Sequence, residues 1–120
     1  MTSFSRDAEF YRDSIAEIII RLEDYITAHE GTQLANVCVD LNKQLRDIGL
    51  SIASEALMSE RALTDSDIKK MLNVLKIVID ALTVFLQVNN TLGDDENFKA
   101  AYRNVLLLIN DLGNSEKAVT

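Results

Sequence analysis

The residues able to do chemistry in this chain are few. His29 is its only histidine and Cys38 its only cysteine, set among nineteen acidic side chains. A two-metal carboxylate site in a helical protein draws on two Glu-x-x-His units, and one histidine cannot supply them. A structural zinc site needs more His and Cys than these two residues offer. Serine, histidine and acid are all present, yet no Gly-x-Ser-x-Gly elbow places a nucleophile, and no glycine-rich loop is available to cradle a phosphate. Acid pairs such as Glu23 with Asp24, or the run from Asp94 to Glu96, do acid–base work only when a cleft perturbs their pKa values; otherwise they are solvated or capping groups. The sequence therefore nominates no catalytic residue, no cofactor-binding residue and no metal ligand.

One use of a lone histidine needs no partner from the same chain, which is to carry a phosphoryl group. A short acidic chain with a single histidine on a helix resembles the histidine-phosphotransfer domains in those respects, and the resemblance implies a phosphoryl acceptor at His29. Those domains carry a lysine three residues after the histidine and a small residue next to it. Here Thr32 and Gln33 hold those places, and Gly31 intervenes. His29 also falls near a helix end, where an imidazole interacts with the carbonyl terminus through the helix dipole. Phosphotransfer through His29 is thus the alternative reading of function, beside a carrier that would hold an apolar ligand within its core. Cys38 lies on an apolar seam with Leu34 and Leu41, where cysteine behaves as a small buried hydrophobe.

The elements that hold these residues are helical. The 120 residues include no proline and only four glycines, so few positions can end a helix, and no segment alternates apolar and polar residues as a half-buried strand does. The steps of three and four in Phe4, Ala8, Tyr11, Ile15, Ile18, Leu22 and Tyr25 predict a first helix over about residues 4–29, with Gly31 as its stop and Thr32 as the next cap. Leu34, Cys38, Leu41, Leu45, Ile48 and Ile52 predict a second over about 33–60. Its seam drifts after Gly49 towards Ala53, Ala56 and Leu57, which predicts a register change or bend there. Thr64-Asp65-Ser66-Asp67 is a capped start for a third helix, to about residue 89. The acids from Asp94 to Glu96 open a fourth, over about 95–112 and closed by Gly113. Short connections then predict an antiparallel up-down-up-down four-helix bundle, one domain over residues 1–113, with 114–120 as a flexible C-terminal tail.

Charge narrows the partners. The formal charge is −7, with the excess acid concentrated in residues 1–31, while residues 64–92 balance. Nucleic acid and anionic membrane both require clustered Lys and Arg, so neither is expected as a partner. The N-terminus has no apolar signal-peptide core, and a single cysteine makes no internal disulfide, so a cytoplasmic location is expected. The apolar run from Met71 to Val88 is about as long as a short membrane span. Asn73, Lys76, Asp80, Thr83 and Gln87 interrupt it at helical spacing, and no membrane insertion is expected.

The third helix carries more apolar surface than one core can use. Leu72, Leu75, Ile79, Leu82 and Leu86 make a seam, yet Val74, Ile77, Ala81, Val84 and Val88 form a further stripe outside it. Leu106 and Leu107 continue the excess on the fourth helix. A stripe of that size marks an interface. The expected function is therefore non-enzymatic binding of protein, as an adaptor, small complex subunit, dedicated chaperone or immunity-type inhibitor. The expected contact residues are Val74, Ile77, Ala81, Val84, Val88, Leu106 and Leu107, and the simplest partner is a second copy of the chain, with a heterologous helix as the other choice.

Overall fold

A computed structural model describes residues 7–119, which form four helices with no strand among them. Helix α1 spans Ala8–Ala28, and Asp7 begins it by accepting the Glu9 N–H at 3.0 Å. Phe4, the first residue of the predicted helix, lies outside the described residues. Gly31 takes φ +87° in the short link that follows, a conformation glycine adopts without strain. Thr32 then caps the next helix by accepting the Ala35 N–H at 3.1 Å, which satisfies a donor that the first turn leaves without an intrahelical partner.

Helix α2 covers residues 33–58 in three parts: regular helix over Gln33–Gln44, a π-helical stretch over Leu45–Leu50, and regular helix again over Ser51–Met58. The π stretch is the physical form of the seam drift near Gly49, because its wider turn absorbs one extra residue and rotates everything after it. Gly49 is buried there against α1, where a Cβ would stand 3.2 Å from Ile15 Cδ1. A methyl is the most that gap takes. Gly49→Val is expected to cost about 1–3 kcal/mol through overpacking between α1 and α2, read as a lower urea midpoint.

Helix α2 ends at Met58, and Arg61 ties that end to the next helix, pairing with Glu55 behind it and with Asp67 ahead at 2.8 Å. Helix α3, Asp65–Val88, opens with a reciprocal cap: Thr64 Oγ1 accepts the Asp67 N–H at 3.1 Å and Asp67 accepts the Thr64 N–H at 3.0 Å. Two donors that would otherwise be orphaned are thereby satisfied. Burial opposes ionisation of Asp67, but the bonds from Thr64 and Arg61 outweigh it and hold the carboxyl below its ordinary value of 3.8. Its folded pKa is thus lower than its unfolded one, so this stabilisation is present above pH 3.8 and lost as pH falls through the lowered value. Asp67→Ala is expected to cost about 1–2 kcal/mol at neutral pH, a deficit that shrinks against wild type when melts are repeated in acid below the ordinary carboxylate range.

A 3₁₀ turn over Asn90–Asp94 leads into α4, Glu96–Val119. The predicted stop at Gly113 is corrected here. A glycine ends a helix by entering the left-handed region; Gly113 does not, and the helix runs on to Val119. Helix α4 packs against both α1 and α3, while α2 packs on α1 and reaches α3 mainly through the π stretch. The buried side chains form one cluster, including Tyr11, Ile15, Ile18, Leu22, Cys38, Leu75, Leu82, Phe98, Val105 and Leu112.

Candidate functional site

The outward face of α3 departs from a closed core. Ile77 is 49% exposed, Val84 55% and Val88 75%. A corner helix ordinarily shows water polar side chains on that side. Ala81 lies among them, half-buried against the core. Val74, expected on the same stripe, is only 4% exposed and belongs to the core cluster. Farther along α3 the cover thins, because the regular part of α2 over Gln33–Gln44 contacts α3 only lightly. The stripe is therefore Ile77, Ala81, Val84 and Val88, uncovered because its neighbour leaves it.

At its far end the stripe meets a cavity of about 490 Å³, lined by Leu34 of α2, Phe85 and Val88 of α3, and the polar trio Tyr25, His29 and Asp95. Asp95 serves two elements at once. Its Oδ1 accepts the Phe98 N–H at 2.9 Å and so caps α4, while Oδ2 lies 3.1 Å from His29 Nε2. Tyr25 stacks on the His29 ring with centroids 4.3 Å apart, as side chains one helical turn apart can. Burial, then the negative charge that Cys38 and Asp95 can carry, raises the Tyr25 phenol above its ordinary value. His29 thus has side-chain partners that its place at a helix end does not foretell, and no sequence signal joins it to a residue 66 positions away. Cys38 is fully buried, and burial pushes its thiol up to about 12, which leaves it a packing residue without a reactive thiolate.

Of the two leucines of α4, Leu107 is placed at a groove on α1 and not with the α3 stripe. Leu107, 61% exposed, lines a separate groove against Phe10 of α1, and Leu106 is half-exposed beside it. Consecutive residues are turned about 100° from each other around a helix, so the two leucines face different ways. No sequence pattern singles out Asn42, the one buried polar residue of the described core; its Nδ2 donates to the Ile19 carbonyl at 3.1 Å across the α1–α2 contact. No group of three or more His, Cys, Asp and Glu side chains that could hold a metal ion occurs among the described residues. By length and composition α3 is the one described helix apolar enough to cross a membrane, yet eight of its residues are buried against the other helices. In comparison with known proteins, no family model matches the chain, and no curated protein or solved structure matches it either.

Proposed function

We propose that this chain is a non-enzymatic, cytoplasmic protein-binding bundle whose four helices run antiparallel, up-down-up-down, and whose outer α3 stripe is covered by a second copy of itself. The observation that carries the reading is the exposure of Ile77, Val84 and Val88 on one face of a 24-residue helix. Water contact along such a face is unfavourable by roughly 25 cal/mol for each Å² of apolar surface, and a partner removes it. The antiparallel arrangement is supported by contacts at both ends of α1: Tyr11 near its start donates to Asp111 near the end of α4 at 2.6 Å, and His29 just past its end meets Asp95 just ahead of α4.

A like copy is favoured by charge. The chain carries −7 overall, but residues 64–92 hold Asp65, Asp67 and Asp80 against Lys69, Lys70 and Lys76, so the helix that bears the stripe adds no net charge when two copies meet. Nucleic acid and membrane are not partners in this reading, and no cofactor is used. His29 is structural in it: the carboxylate of Asp95 lies beside Nε2 and would repel an incoming phosphoryl group. The test is the solution mass by light scattering over a concentration series. A rise from one chain mass to two supports the proposal, and a single chain mass throughout, up to high micromolar concentration, overturns self-association.

A further inference from the structure

We propose that the groove between α1 and α4 docks a basic amphipathic helix from a different protein. The groove encloses about 420 Å³ and is floored by Phe10 of α1 with Leu107 and Leu108 of α4. Phe10 and Leu107 are half or more exposed and Leu108 is buried, so the groove offers an open apolar floor. Its charged lining residues are Asp13, Glu17 and Asp111; the remaining two are neutral, and among the described residues no lysine or arginine lines it.

The shape selects a helix. Its lining runs from residue 10 to 17 on α1 and from 104 to 111 on α4, a length of roughly 12 Å, or two turns, at about 1.5 Å per residue. Apolar side chains at i, i+3 or i+4, and i+7 of a guest helix span that length. An extended peptide gains less here, since the backbone groups of α1 and α4 are spent within their own helices and no sheet edge is offered.

The charge selects a basic one. Asp111 accepts the Tyr11 hydroxyl through one oxygen, and a carboxylate has acceptor sites to spare. Asp13 pairs with Arg12 at 3.1 Å and Glu17 with Arg21 at 2.9 Å, but these are exposed contacts within α1 that a guest lysine or arginine can exchange with little loss. A second copy is the poorer guest, because the whole chain is acidic and its neutral apolar face lies on α3. The groove is independent of the α3 stripe, so either surface can fail without the other.

The test is fluorescence anisotropy of a labelled peptide of about 15 residues, lysine and leucine only, with leucine at i, i+3, i+4 and i+7, titrated with the full chain in physiological salt. The same peptide with glutamate for lysine is the charge control. Wild type and Val84→Asp are expected to bind the lysine peptide alike. Leu107→Gln, and separately Asp13→Asn with Glu17→Gln, are expected to weaken it at least about tenfold, with unchanged circular dichroism, and the glutamate peptide is expected not to bind. Equal binding by wild type and both groove variants would mean diffuse attraction to an acidic surface and would overturn the proposal. A self-associated chain that Leu107→Gln turns into monomer would overturn it too, by assigning the groove to a second copy.

Discussion

Val84→Asp is expected to give a folded monomer at concentrations where the proposed wild-type pair forms. Val84 is 55% exposed, so an aspartate there stays in water within the isolated chain. Substitutions at such positions shift stability by about 0.5 kcal/mol or less. In the pair, the same carboxylate would be drawn out of water into a largely apolar contact, which costs free energy. A two-fold interface presents the substitution from both sides, so the penalty is counted twice. If each copy contributes only about 1.5 kcal/mol, the dissociation constant rises more than about a hundredfold. Val74→Asp, ten residues earlier on the same helix, is the control. Val74 is 4% exposed, and an unpaired charge in its place is expected to unfold the chain. Light scattering with circular dichroism on both variants separates the cases: a Val84→Asp chain that still pairs with wild-type affinity removes the stripe from the interface.

That contrast also marks how far sequence reaches. The starts of α2 and α3 are legible because capping is local chemistry: Thr32, Thr64 and Asp67 bond backbone groups three residues away, and Gly31 is the one described glycine at positive φ. The irregularity at Gly49 is legible as a drifting seam, although its π-helical form over Leu45–Leu50 is not, since a drift in spacing does not distinguish a bend from a π turn. Gly113 misleads because residue type alone does not say whether a glycine turns left-handed. Val74 misleads for a related reason. Its place on the helix surface follows from the helical period, but whether that surface is covered depends on how the other helices pack, and Val74 ends inside the core cluster.

The candidate surfaces divide in the same way. The excess of apolar residues on α3 is readable in Ile77, Val84 and Val88 because it exceeds what one core needs. The sequence groups Leu107 with that stripe, whereas in the fold it meets Phe10 of the first helix, and only that pairing makes a groove with acids on its rim. The Tyr25, His29 and Asp95 cluster likewise needs the end of α1 and the start of α4 brought together. Two surfaces of different charge on one small chain favour two different partners: a neutral face suits a like molecule, and an acid-rimmed one suits a basic guest.

Phe98→Ala carries the largest stability loss, about 3–5 kcal/mol. Phe98 has no exposed surface, and its ring meets Tyr25 edge-on at 5.7 Å between centroids, with Tyr25 stacked in turn on His29. Alanine is the better helix former by roughly 0.5 kcal/mol, so any loss reports packing and not the helix itself. Against a total of about 5–15 kcal/mol for a domain of this kind, the change removes about a fifth or more of the stability. Urea unfolding is expected to show a lower midpoint with an unchanged slope, since the same surface is exposed on unfolding. A loss below about 1 kcal/mol would mean that the end of the bundle collapses around the missing ring, as sites able to relax do. With Phe98 the loss falls on folding and with Val84 on association, and that separation is expected if the stripe on α3 exists for a partner and the ring beneath His29 exists for the fold.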